Sequence, residues 1–96
     1  MTIQQVKKSL KEFDSMRMRA EFIKKTNTDY IKSEEYINYD NICNAIEVLP
    51  EKLKILVEKI YIEKWSIRAC EKEYHYCRNT IYKLINQAIE LISGCI

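Results

Sequence analysis

Hydrophobic positions recur every three or four residues along most of this 96-residue chain. That spacing places apolar side chains on one face of an α-helix, whereas a half-buried strand would alternate apolar and polar residues. A single Gly and a single Pro leave few turn signals, while Lys, Glu, Ile and Leu are plentiful. The pattern therefore predicts an all-α fold, and the length is typical of one domain.

The first apolar stripe predicts one long N-terminal helix. Thr2 and Gln5 have the spacing of a capping box, and the helix is expected to fray after Lys25, where turn-forming residues follow. The stripe has two interpretations. It can pack onto the rest of the domain, or it can form a self-associating seam, because its spacing resembles a short run of heptads. Its members are Ile3, Val6, Leu10, Phe13, Met16, Ala20 and Ile23.

The middle of the chain is less regular. Residues 30–39 mix tyrosines with acids and have no clear period, which predicts a short helix or an irregular connection. Asp40 is a suitable N-cap for a further helix, and Pro50 either ends that helix or occupies the first turn of the next one. The apolar face expected for the helix after Asp40 consists of Ile42, Ala45, Ile46 and Leu49.

The last third predicts three more helices. After Pro50, apolar residues recur at helical spacing, and Ser66 is the expected N-cap of a shorter helix that follows. Two final helices around a tight corner, as in a helix-turn-helix, need His75 at the turn position with positive φ and Cys77 as the next N-cap. The last helix should bury Ile81, Leu84, Ile85 and Ala88.

Charge is distributed unevenly, although the net charge of +2 is too small to imply a partner. Residues 1–25 hold seven Lys or Arg against three acids, and residues 26–50 hold one Lys against five acids. No acid occurs in residues 74–89. The first and last thirds could therefore face a polyanion, whereas the middle could not. For the N-terminal third, ordinary solvated helix faces explain the charge equally well.

The exposed side of the last helix has the composition of a DNA-binding surface. Arg and Asn are well shaped to pair with guanine and adenine in the major groove, and Ser66, Arg68 and Thr80 could hold the flanking phosphates. An ordinary polar helix face is the alternative interpretation. The residues predicted to contact double-stranded DNA are Ser66, Arg68, Arg78, Asn79, Thr80, Tyr82, Lys83 and Asn86.

Other classes of function have weak support. The four cysteines show no CxxC spacing, and the cluster Cys70, His75 and Cys77 could reach four zinc ligands only with Cys43 or Cys95. We therefore expect no metal site and no cofactor. His75 has no convincing arrangement of acid or nucleophile beside it, and helix capping also accounts for nearby Cys77, so we expect no enzyme. Without a secretory leader or a stretch long enough for a bilayer, the chain is expected to be cytoplasmic, away from membranes, with reduced thiols.

Residues 45–92 resemble region four of bacterial sigma factors. Leu49–Pro50 matches the Leu-Pro before the first helix of that family, Tyr61 and Trp65–Ser66 match the next junction, and the run from Cys77 to Ile81 is similar to the start of the family's recognition helix. Tyr82-Lys83-Leu84 is particularly similar to ArpU-type phage regulators of late genes. The resemblance implies a helix-turn-helix that binds DNA.

The chain also departs from that family. Glu71 stands where the family has Ala at the close crossing of two helices, so its side chain must point outward or push the helices apart. His75 and Cys77 replace the usual Gly and Ser, and residues 1–40 match no family motif. We expect a helical segment at 1–40 for dimerisation or partner contact and a helix-turn-helix domain at 41–96.

The resulting hypothesis is a sequence-specific transcriptional regulator of phage or mobile-element origin. A complete sigma factor also needs a part that melts the promoter, and none fits in this sequence. The alternative is a protein-interaction module that binds RNA polymerase or another regulator without recognising bases. A homodimer would supply both affinity and operator symmetry.

Overall fold

The computed structural model describes residues 2–95, and every regular element in that range is helical, which confirms the predicted all-α class. A short 3-10 turn, Tyr30–Lys32, precedes α3, and a π-helical segment, Glu58–Ile62, continues α4. The six α-helices of the described range are α1 (Ile3–Lys11), α2 (Phe13–Thr26), α3 (Glu34–Glu47), α4 (Glu51–Val57), α5 (Ile67–Tyr74) and α6 (Arg78–Cys95).

The N-terminal stripe lies on two helices, so the prediction of one continuous helix is wrong. The capping box is present as predicted, with the Gln5 N–H donating to Thr2 Oγ1 over 3.2 Å and the Thr2 N–H donating to Gln5 Oε1 over 2.9 Å. The break falls at Glu12, whose φ of −100° and ψ of 20° leave helical geometry. Glu12 is the shared cap of both helices: its N–H donates to the Lys8 carbonyl over 3.0 Å, and its own carbonyl accepts from the Met16 N–H over 2.9 Å.

Several apolar side chains of the N-terminal stripe pack against the rest of the same chain. Val6, Leu10 and Phe13 are buried in the core, α1 packs against α6, and α2 packs against α3. This confirms the interpretation that the stripe packs onto the rest of the domain. Val6, Leu10 and Phe13 are therefore used within one copy of the chain, whereas Ile3 at the start of the stripe is exposed.

The third helix begins earlier than predicted. It starts at Glu34, after Ser33 in extended backbone, so the assignment of Asp40 as an N-cap is wrong: Asp40 lies inside α3. Two acids, Glu34 and Glu35, occupy the first turn, where negative charge interacts favourably with the helix dipole. The predicted apolar face is confirmed, because Ile42, Ala45, Ile46 and Leu49 are all buried.

Pro50 starts the next helix. Its carbonyl accepts hydrogen bonds from the N–H groups of Leu53 and Lys54, each over 2.9 Å. An ion pair between Lys54 Nζ and Glu47 Oε2, 3.0 Å long, joins α3 to α4 on the outside of this turn. Pro50 is thus the N-cap of α4, one residue before the first turn in which the second prediction placed it.

The π-helical segment and the residues after it connect α4 to α5. The Glu63 N–H donates to the Glu58 carbonyl over 2.8 Å, which is an i to i−5 bond, and the Trp65 N–H donates to the Lys59 carbonyl over 2.8 Å. Lys64 between them has a φ of 62°, in the left-handed region that usually favours glycine. This left-handed cap turns the chain before Ser66, and the sequence offered no glycine to signal it.

One buried core extends across the predicted domain boundary. The boundary at residues 40/41 falls within α3, and side chains from both sides of it share the same cluster. The functional division of the chain stays a prediction, but both parts contribute to one folded unit. The buried members of the core are Val6, Leu10, Phe13, Ile42, Ala45, Ile46, Leu49, Leu53, Leu56, Val57, Cys70, Ile81, Ile85, Ala88, Ile89 and Ile92.

Residues 17–38, here called the arm, lie outside this core and outside the partly buried side chains packed on it. The arm comprises most of α2, the 3-10 turn and the start of α3, and the molecule measures 46 × 24 × 21 Å. The Tyr30 and Tyr36 rings meet edge to face, with centroids 4.9 Å apart. The arm also carries exposed large apolar side chains, namely Met18, Phe22, Ile31 and Ile37.

Candidate nucleic-acid interface

A sharp corner separates α5 from α6. The first helix ends at Tyr74 and the second begins at Arg78, and His75 between them has a φ of 57° and a ψ of 33°. The predicted positive φ at His75 is therefore confirmed. The two helices contact each other, and Cys70 of α5 and Ile81 of α6 are both fully buried. The chain thus turns at the predicted residue, and α5 and α6 share the core.

The start of α5 has the predicted cap. The Ala69 N–H donates to Ser66 Oγ over 3.1 Å, and Ser66 itself is exposed. Since this contact uses Oγ as an acceptor, the hydroxyl hydrogen can still donate to a phosphate oxygen. Arg68 is exposed two residues later, within the first turn of α5. Two of the three residues predicted to hold phosphates therefore lie at the N-terminus of this helix.

The start of α6 is organised around Cys77. The Ile81 N–H donates to the Cys77 carbonyl over 3.1 Å, and Cys77 Sγ lies 3.0 Å from Thr80 Oγ1. Hydrogen bonds from the Thr80 hydroxyl and then from the Thr80 N–H lower the pKa of the Cys77 thiol. Thr80 is half-buried, so of the predicted contact residues it is the least open to a partner. Cys77 occupies the position expected of an N-cap.

The two sides of α6 differ as predicted. Ile81, Ile85 and Ala88 are buried, and Leu84 is half-buried against the core. The opposite side is polar and exposed, and its members are three or four residues apart, which places them on one helical surface. This surface, here called the α6 face, consists of Arg78, Asn79, Tyr82, Lys83 and Asn86.

Glu71 contacts the first residue of the α6 face. Arg78 Nε donates to Glu71 Oε1 over 3.1 Å, and the two side chains are 61% and 30% exposed. Glu71 therefore points outward, and α5 and α6 still pack together around buried Cys70 and Ile81. The sequence marked Glu71 as an unusual residue at the crossing but did not reveal its partner. The sequence signal that could have indicated this pair is that Glu71 and Arg78 are seven residues apart, on either side of a tight corner.

A second cation lies near the corner. Lys52 Nζ is 5.4 Å from the centroid of the Tyr76 ring, and the Tyr74 and Tyr76 rings stack with centroids 6.4 Å apart. Lys52 belongs to the first turn of α4, and only the tertiary fold brings it beside Tyr76. Helical periodicity in the sequence could not predict the contact between Lys52 and Tyr76. It adds positive charge beside the candidate interface.

Within the described residues, the potential metal ligands are dispersed. Within residues 2–95, no three or more His, Cys, Asp or Glu side chains are grouped so that they could hold a metal ion. Cys70 is buried, whereas His75 and Cys77 are exposed, so the cluster noted in the sequence is divided between core and surface. Burial raises the pKa of the Cys70 thiol and also that of Cys43.

The chemistry of this surface is that of hydrogen-bond donors, cations and an aromatic ring beside a helix N-terminus. In the part of the chain that the structure describes, no helix has the length and apolar character needed to cross a bilayer. Comparison of the chain with protein families, with characterised proteins and with solved structures finds no match.

Proposed function

We propose that this chain is a sequence-specific DNA-binding transcriptional regulator whose α6 enters the major groove of double-stranded DNA. The observation that carries the proposal is the α6 face: five exposed polar or aromatic side chains directly after a tight corner, with no acid in residues 74–89. In helix-turn-helix proteins, the N-terminal residues of the second helix contact base edges. Arg78, Asn79 and Lys83 are the cationic and amide side chains best suited to that role.

The neighbouring residues support a role in holding the DNA backbone. Ser66 and Arg68 lie at the N-terminus of α5, and Thr80 lies in the first turn of α6. Backbone N–H groups and the helix dipole at such termini favour phosphate oxygens. Phosphate contacts of this kind fix register and orientation, while contacts to base edges supply sequence preference.

The resemblance of residues 45–92 to region four of sigma factors, and to ArpU-type phage regulators, supports the same proposal. The left-handed conformation of His75 and the cap at Ser66 are compatible with that resemblance. A phage or mobile-element regulator of this kind would bind its operator through the corner and α6. A second copy or a partner would increase affinity, because one helix contacts only a few base pairs.

Selection of bound oligonucleotides from a random pool, at two salt concentrations, tests the proposal. A conserved motif recovered at both concentrations is the expected result, and an inverted repeat within it would indicate a dimer. Binding that falls with salt and recovers no motif would indicate phosphate contact alone and would contradict sequence-specific recognition.

A second candidate function, a protein-interaction module that binds RNA polymerase or another regulator, is favoured by the arm. Met18 and Phe22 are four residues apart on α2 and are 68% and 67% exposed. Residues four apart on a helix are neighbours on one face, and an exposed apolar patch can mark a site of protein contact. Pull-down with purified RNA polymerase tests this candidate. The interaction module is favoured over the DNA-binding regulator if the wild type retains polymerase, the Phe22→Ala variant does not, and the random pool yields no motif.

A further inference from the structure

The ion pair between Glu71 and Arg78 restrains the first side chain of the α6 face. Arg78 Nε donates to Glu71 Oε1 over 3.1 Å, although Arg78 is 61% exposed and Glu71 30% exposed. A surface ion pair at this exposure adds little to folding stability. Its main physical effect is to reduce the number of conformations that the long Arg78 side chain samples.

Glu71 bonds to one edge of the Arg78 guanidinium and leaves another edge available to a ligand. A guanidinium can offer the side edge, which includes Nε, or the end edge, which consists of Nη1 and Nη2. Because the Nε–H is directed at Glu71, the end edge is the edge that Glu71 does not occupy. That edge matches the O6 and N7 acceptors that guanine presents in the major groove.

We propose that Glu71 is a positioning residue that holds Arg78 so that its end edge binds a guanine in the DNA site. This inference rests on the proposed DNA-binding function and deepens it by naming the base. Ordering Arg78 before binding lowers the entropy cost of the contact. The negative charge of Glu71 also disfavours a phosphate at the same place, so it weakens binding to DNA of unrelated sequence.

The experiment measures dissociation constants of full-length variants for the selected site, for that site with each base pair changed, and for unrelated DNA. The G·C pair bound by Arg78 is the one at which Arg78→Ala loses discrimination. Glu71→Ala is expected to reduce discrimination at that pair by about five-fold or more and to leave the other positions unchanged. Affinity for unrelated DNA is expected to rise. Glu71→Gln, which keeps an acceptor oxygen, should retain more discrimination than Glu71→Ala.

Two further variants separate positioning from general effects. Glu73→Ala removes the same charge from an exposed position on α5 and is expected to keep discrimination at the Arg78 pair. The double variant Glu71→Ala with Arg78→Ala should lose no more discrimination than Arg78→Ala alone, because the two side chains act as a unit.

Each other outcome overturns the inference. Unchanged discrimination in Glu71→Ala means that Glu71 does not position Arg78, and tighter specific binding with discrimination kept means that Glu71 competes with DNA for Arg78. An equal loss at every position, together with a lower melting temperature, means that Glu71 is only structural. If the wild type prefers no sequence, the proposed function itself fails, and this is observed before any variant is measured.

Discussion

Cys77 Sγ lies 3.0 Å from Thr80 Oγ1 at the start of α6, and the Thr80 hydroxyl and N–H together lower the pKa of this thiol. The thiolate is the form that they stabilise, since donors at a helix N-terminus favour negative charge. The folded-state pKa therefore lies below the ordinary value for cysteine, and the thiolate persists to lower pH than usual. The same residue borders the α6 face, so its reactivity also reports on that surface.

Alkylation with iodoacetamide should therefore modify Cys77 faster than half-buried Cys43 and buried Cys70, whose pKa values are raised by burial. Peptide mass spectrometry across a pH series measures each rate. Thr80→Val keeps the size of the side chain and removes the hydroxyl, so the rate profile of Cys77 should shift to higher pH. An unchanged profile would show that Thr80 does not control the thiol. Selected DNA should protect Cys77 and leave exposed Cys95 reactive.

Arg78→Ala should weaken binding to the selected DNA site by roughly 1–3 kcal/mol and relax the sequence preference at one base pair. The reason is the loss of paired hydrogen bonds to a base edge. A gel-shift titration at fixed salt measures the change. Gln87→Ala, which alters another exposed residue of α6 outside the α6 face, is the matched control and should bind like the wild type. Unchanged binding by Arg78→Ala would show that the base-contacting residues are assigned incorrectly.

His75→Val should destabilise the fold by more than about 1 kcal/mol, because a β-branched residue adopts the left-handed region poorly. The observed φ of His75 is 57°, so the substituted residue would need to adopt that conformation or distort the corner. Urea unfolding followed by circular dichroism measures the free energy. His75→Gly is the control and should unfold at a similar or higher urea concentration. Equal stability of the Val and Gly variants would argue against a left-handed residue at this corner.

Leu10→Ala should lower the free energy of unfolding by about 2–5 kcal/mol, because Leu10 is fully buried in the shared core. Met18→Ala, in the exposed part of the arm, should change it by no more than about 0.5 kcal/mol. Chemical denaturation of both variants gives the comparison. Similar small effects would mean that α1 does not contribute to the core that supports α6.

The features best predicted from the sequence are those decided by a few neighbouring residues. The capping box at Thr2, the cap at Ser66 and the left-handed corner at His75 each depend on local hydrogen bonds or backbone sterics. The buried positions of α6 were also predictable, because helical spacing alone separates them from the α6 face. Hydrophobic periodicity and helix capping were therefore sufficient to predict most of the structure of the last third of the chain.

Most of the features that were missed depend on contacts beyond neighbouring residues. The break at Glu12 falls at a residue with no strong boundary signal. The start of α3 is an exception, because Ser33 followed by Glu34 and Glu35 is a local signal for a helix N-terminus. The contact of Lys52 with Tyr76 joins residues from separate helices. For the pairing of Glu71 with Arg78, the sequence shows the two charges, but only the packed crossing of α5 and α6 brings them within hydrogen-bonding distance.

The packing of α1 against α6 makes the two ends of the chain energetically dependent on each other. Any molecule that bound the arm and shifted α1 would change the packing of α6, and so the position of the α6 face that is proposed to contact DNA. By thermodynamic reciprocity, the duplex would then change the affinity of that molecule by the same factor. Under the proposed DNA-binding function, this continuous core would connect the N-terminal helices to α6 without a hinge between separate modules.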